Sequence, residues 1–188
     1  NPTADDPSAP GAHLLKVSDL EQGTVNPISL SLEGVSGGTF PYNSGALAGG
    51  HIYLASLSGA PASPLKIYYY ETPASAPEVI LNVTLDTIDG ANSRHGDNAS
   101  FNLDENGNGY VFFGNNAATD VLRFTIRNWK EIDPASATVL GSDSKANSYI
   151  TVNRIWGTDS YIFGGIYMAP KIVDESMSVQ YSLKPTSV

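Results

Sequence analysis

Cysteine is absent from this chain of 188 residues, so no disulfide can hold the fold and thiolate chemistry is excluded. Basic residues are scarce: ten Lys plus Arg stand against nineteen Asp plus Glu, for a net charge of −9. A surface of that sign repels phosphate backbones and anionic lipid, which excludes nucleic acid and acidic membrane surfaces as partners. No apolar run approaches the ~20 residues needed to cross a bilayer, so no transmembrane segment is expected. Charged residues make up only 15% of the chain, and Glu, Lys, Arg and Leu nowhere sustain a helical period.

What the chain has instead is 18 Gly, 12 Pro, ten Tyr and a repeat. Ala48-Gly49-Gly50-His51-Ile52-Tyr53-Leu54 leads to Pro64-Leu65-Lys66-Ile67-Tyr68, then Pro73-Ala74-Ser75-Ala76 and Val79-Ile80-Leu81. Gly107-Asn108-Gly109-Tyr110-Val111-Phe112 leads in the same way to Val121-Leu122-Arg123-Phe124, then Pro134-Ala135-Ser136-Ala137 and Val139-Leu140. A weaker third copy begins at Ser160-Tyr161-Ile162-Phe163. Each copy, about residues 43–85, 98–140 and 147–183, divides into four short strands with Gly- and Pro-bearing turns. The expected fold is all-β, with β-propeller-type four-stranded antiparallel repeats, about three in this chain. The evenly spaced strands of a β-sandwich are the competing arrangement. Three blades do not close a ring, so a partial propeller, part of a larger assembly, or a homo-oligomer or partner chain completing the blades is expected.

Residues 1–12, rich in Pro, Ala, Ser and Asp, read as a disordered leader, and 13–188 as one all-β domain. Such a leader suits a polar tether after a removed signal segment, hence an extracytoplasmic, secreted or surface-tethered protein. A trimmed expression product looks the same.

The segment Asn102-Leu103-Asp104-Glu105-Asn106-Gly107-Asn108-Gly109-Tyr110-Val111 resembles the Asp-x-x-Gly-Asn-x-Tyr-Val turn of the NHL class of propeller repeats. Residues 40–140 are similar in texture to uncharacterised secreted Bacteroidetes proteins with propeller-like domains. The resemblance implies a propeller fold and an extracytoplasmic binding role, and no active site.

Three groups of residues are candidates for chemistry. Arg94, His95 and Asp97 share one polar loop and could bind a carboxylate or a sugar, and His95 with Asp97 could serve as acid and base. No Gly-x-Ser-x-Gly elbow accompanies them. Asp104, Asn106 and Asn108 match the first half of a calcium loop, yet Asn115 stands where a bidentate Glu belongs, so a tight hairpin turn is the simpler reading and calcium the weaker one. No other cofactor is expected. Trp129 and Trp156, near strand ends, could stack on a ligand, whereas Tyr69 should pack between sheets. These features suggest a secreted, non-enzymatic binding module for a glycan or protein. The alternatives are a self-assembling structural subunit joined through open blade edges, and a carbohydrate-active hydrolase or lyase using His95 and Asp97.

Overall fold

The computed structural model describes residues 11–91, 94–115, 120–141, 151–154, 161–165, 168–173 and 179–182. A two-stranded ribbon, β1 (His13–Leu14) with β2 (Ile28–Ser29), comes first and encloses a one-turn helix, α1 (Val17–Glu21). Three antiparallel sheets follow, each built from consecutive strands. The first is β3 (Phe40–Ala48), β4 (His51–Leu57), β5 (Pro64–Tyr70) and β6 (Glu78–Thr84), paired in that order. The second contains β7 (Ala99–Leu103), β8 (Gly109–Phe113) and β9 (Asp120–Arg127), with two short strands, β10 (Glu131–Ile132) and β11 (Thr138–Gly141), sharing the outer edge of β9. The third is β12 (Thr151–Arg154), β13 (Tyr161–Gly165), β14 (Met168–Val173) and β15 (Val179–Ser182).

The sheets follow one another along the chain, with four strands in the first and third and five in the second. In the first sheet the Gly49-Gly50 turn, with both glycines at positive φ, joins the first two strands, and Pro73–Ala76 turns the chain into the fourth. β7 runs beside both β3 and β12, so neighbouring sheets meet along their first strands.

The propeller expectation needs correction. The three sheets do not close into a ring, and what stands is an all-β chain of antiparallel sheets. The turn that suggested propeller repeats has a local origin. The Asp104 carboxylate accepts hydrogen bonds from the amides of Asn106 (2.9 Å) and Asn108 (2.8 Å), and Gly107 and Gly109 take positive φ. That is hairpin chemistry available to any antiparallel pair, and it carries no information about ring closure.

Alternation along β5 sorts the three tyrosines. Tyr69 enters the core between the first two sheets with Tyr53, Leu65, Ile67, Phe113, Phe124 and Ile126. Tyr68 and Tyr70 face the other way, onto Leu30, Ile52 and Leu54. There the N-terminal segment clads the sheet: the Tyr70 hydroxyl donates to the Ser31 carbonyl (2.7 Å) and the Tyr68 hydroxyl to that of Ser36 (2.7 Å). Of the proposed leader, residues 1–10 lie outside the described residues, and the Ala12 carbonyl accepts the Leu30 amide.

Candidate functional site

Among the described residues, two clusters of candidate side chains lie between the first and second sheets.

The first is the loop Arg94–Asn98. His95 pairs its backbone with Ser58 through two hydrogen bonds of 2.9 Å, and the Gly96 amide donates to the Gly114 carbonyl (3.0 Å). The Asn43 side chain donates to the carbonyls of Gly96 and Asp97. The loop thus ties the first sheet to the second. Gly96 is required here: its φ is +99°, and a Cβ would lie 2.3 Å from the Ser56 carbonyl oxygen. The Arg94 guanidinium grips the Asp97 carboxylate with Nε at 3.0 Å and a second nitrogen at 2.5 Å. The Asp97 side chain is 3% exposed and that of Arg94 31%. His95, a candidate for ligand binding and acid–base chemistry by its sequence, is wholly buried at the sheet junction. Sequence proximity did bring Arg94 and Asp97 together, as an internal ion pair.

The second place is the open end of the hairpin joining β9 to β10. Asn128 and Trp129 both adopt left-handed backbone conformations, with φ of 46° and 68°. Trp at such a position is uncommon, because a bulky side chain crowds its own backbone there. The indole is held against two glycines: a Cβ on Gly49 would lie 2.1 Å from the ring, and one on Gly107 2.4 Å. The Trp129 amide donates to the Gly107 carbonyl (3.0 Å), and the Trp129 carbonyl accepts the Tyr53 hydroxyl (2.7 Å). His51 packs on both Trp129 and Tyr69, with ring centroids 5.1 and 5.2 Å away. Its Nδ1 lies 2.8 Å from the Tyr69 hydroxyl, which donates to Glu71 (3.0 Å). Burial, reinforced by that hydrogen bond and by the nearby Glu71 and Glu78 charges, pushes the Tyr69 phenol up to about 12. Tyr69 is therefore neutral at physiological pH and acts as a hydrogen-bonding spacer. Trp129 is likewise a staple between sheets, with glycine backbone and His51 taking up its surroundings.

Beyond the staple lies a seam between β6 and the broken outer strand of the second sheet. A cleft of about 560 Å3 opens there, bordered by Glu78, Val79 and Ile80 on one side and by Arg127, Lys130 and Ile132 on the other. Glu131, Asp133, Thr125 and Ser136 complete its rim. Lys130 bridges the walls, donating to Glu78 at 2.8 Å while lying 5.6 Å from the Tyr69 ring centroid. That pair is exposed on both sides, so it contributes little to stability.

Asp104, Asn106 and Asn108 form the β7–β8 turn described above, with the carboxylate directed at backbone amides and the Asn108 side-chain carbonyl accepting the Asn128 amide (3.3 Å). Among the described residues no three His, Cys, Asp or Glu side chains come together as metal ligands. Trp156 lies outside the described residues. No helix among them is long and apolar enough to cross a membrane.

The residues lining the seam were not singled out by their sequence. A signal existed. Between Leu65 and Leu122 the two copies are offset by 57 residues, but between Pro73 and Pro134 by 61. The second copy carries four more residues between these landmarks, and this is the stretch that makes the Arg127–Lys130 turn and β10.

A family model described as "Domain of unknown function (DUF4623)" matches residues 5–188. The chain belongs to the DUF4623 family. No NHL or other propeller repeat family is identified in it, which overturns the resemblance drawn from the Asp104–Gly109 turn. The chain is similar to a DUF4623 family protein from Bacteroides eggerthii DSM 20697 known from its crystal structure, with 53% identity and a TM-score of 0.88. The match covers 92% of this chain and 39% of that one, so this DUF4623 chain spans about two-fifths of that relative's length. No curated protein matches it.

Proposed function

We propose that this DUF4623 chain is a non-enzymatic binding module whose glycan or protein ligand is recognised at the seam between the first two sheets. The single observation that carries the proposal is the cleft of about 560 Å3, where aliphatic side chains stand beside both carboxylates and cations. A mixed wall of this kind gives apolar contact plus orientable polar groups, which is what a ligand site needs. The burial of His95 and the closure of Asp97 on Arg94 favour a structural latch over a catalytic pair. An extracytoplasmic setting belongs to the same proposal, and fractionation of producing cells tests it.

The sheets are read in the same proposal as successive four-stranded units joined along their first strands, about three in this chain. The position of β7 between β3 and β12 supports it.

The test is binding on glycan and peptide arrays with the wild-type chain and with Arg127→Ala and Val79→Asp. Ligand capture that both exposed substitutions abolish, with the fold intact, supports the seam. Capture unaffected by either places recognition elsewhere. A second reading, self-assembly, is favoured by the exposed Leu15, Val17, Leu20 and Val25 of the N-terminal segment. Light scattering over a concentration series tests it, and a strictly monomeric chain removes it.

A further inference from the structure

We infer that the open edge of β6, with the seam beside it, takes up an extended basic peptide by strand addition. The inference rests on the binding-module reading and names the class of its ligand.

β6 closes the first sheet. Among the described strands it pairs with β5 alone, so backbone N–H and C=O groups of Glu78–Val79 and of Leu81–Thr84, on either side of a register shift at Ile80, face in part away from the sheet. Such an edge is a template for another strand unless something covers it.

The hollows beside β6 have the shape of a polymer site. The cleft of about 560 Å3 borders Glu78, Val79 and Ile80, and a second, of about 400 Å3, borders Val83, Ile88 and Pro134 further along the strand. Ser136 lies on the first and Pro134 and Ala135 on the second, so the 3-10 turn Pro134–Ser136 divides them. Seven residues of strand extend roughly 23 Å at about 3.3 Å each. A compact ligand would fill one hollow, whereas an extended chain reaches both and meets the open backbone between them.

Charge selects the sign of that chain. Glu78, Asp89, Glu131 and Asp133 border the two hollows against Arg127 and Lys130, and the whole molecule carries −9. Lys130 and Glu78 engage one another, which leaves Asp89, Glu131 and Asp133 against Arg127. A peptide with Lys or Arg on one face and small aliphatic residues on the other matches both the carboxylates and the apolar positions Val79 and Ile132.

The experiment titrates the chain with a blocked hexapeptide of alternating lysine and valine. Comparison probes are its glutamate–valine counterpart, a copy N-methylated at alternate residues in each register, and maltohexaose. Amide hydrogen exchange locates the binding. The expected result is slowed exchange along β6 with the lysine peptide, affinity that falls with salt, and a loss of about tenfold or more on N-methylation in one register or on Val79→Lys. Val79 is 46% exposed, so its replacement leaves the core intact. Indifference to N-methylation in both registers, equal binding of the glutamate peptide, or protection away from β6 overturns the inference. If maltohexaose binds while the peptide does not, strand addition is wrong and the binding-module reading stands. If no probe binds and the arrays are also blank, both fall.

Discussion

Trp129 offers a prediction in which the usual order of two substitutions is reversed. In ordinary backbone, Gly is less stable than Ala by roughly 0.5–1 kcal/mol, because it has more conformational freedom to lose. Trp129 has φ of 68°, where a Cβ crowds the following carbonyl and costs roughly 1–2 kcal/mol that glycine avoids. Removing the indole also empties the space over Gly49 and Gly107, a loss of about 3 kcal/mol given that the ring is only half-buried. Trp129→Ala suffers the packing loss and keeps the strain. Trp129→Gly suffers a similar packing loss and sheds the strain. Both keep the backbone carbonyl that accepts the Tyr53 hydroxyl. Trp129→Gly should therefore be the more stable by about 1 kcal/mol, or some 2–4 °C in Tm for a chain of this size. Urea unfolding of the two variants, followed by circular dichroism, measures the difference. If Trp129→Ala equals or exceeds Trp129→Gly, the left-handed turn is not a source of strain and the staple must be explained by packing alone.

Arg94→Ala leaves the Asp97 carboxylate buried without its guanidinium. Because Arg94 is itself partly exposed, solvent reduces the usual penalty, and a loss of about 1–3 kcal/mol is expected; the double variant Arg94→Ala, Asp97→Asn should recover part of it in the same unfolding assay. Burial raises the phenols of Tyr53, Tyr69 and Tyr70, the last two to about 12. Below pH ~10 these tyrosines are neutral in both states and their contribution is complete; above it only the unfolded chain ionises, so stability should fall between about 10 and 12. Thermal melts paired with phenolate absorbance check this, and phenolate appearing well before unfolding would contradict it. Asp104→Ala removes an acceptor shared by two amides and should cost about 1–2 kcal/mol by denaturant titration. Calcium added to the wild type should leave its Tm unchanged, and a dose-dependent rise would revive the calcium reading.

Strand positions were legible wherever burial alternates. Within β5 the spacing of Leu65, Ile67 and Tyr69 alone puts them on one face, and the structure has them there. The succession of short antiparallel strands was legible because the first two copies share their Gly- and Pro-bearing turns. Ring closure was not, since closure depends on how whole sheets pack, and a Gly-rich hairpin such as Asp104–Gly109 encodes only its own bend. Loop chemistry misled for a related reason. Arg94, His95 and Asp97 look like a reactive cluster in one dimension, but burial decides their role, and burial comes from Ser58 and Gly114, distant in sequence. The one-turn helix α1 escaped notice because one turn cannot display a period.

The four additional residues of the second copy explain why the seam exists at all. In the first copy, β5 passes through Pro73–Ala76 directly into a continuous β6. In the second, β9 first folds back through Asn128 and Trp129 to make β10, and only then reaches Pro134–Ser136, which breaks the outer strand before β11. The Ser136 hydroxyl accepts the Thr125 amide (3.0 Å), standing in for the ladder bond that a continuous strand would supply. A continuous β6 therefore faces a broken strand, and the mismatch leaves the hollows on either side of the turn. Shortening the second copy to the first copy's spacing should close them. Deleting residues 128–131 would remove the Trp129 staple as well, so the cleaner variant deletes residues 130–133, which takes out β10 and retains Trp129 with Tyr53, Gly49 and Gly107. If that chain folds and still binds whatever the wild type binds, the seam is packing slack; if it folds and binding disappears, the additional residues are the source of recognition.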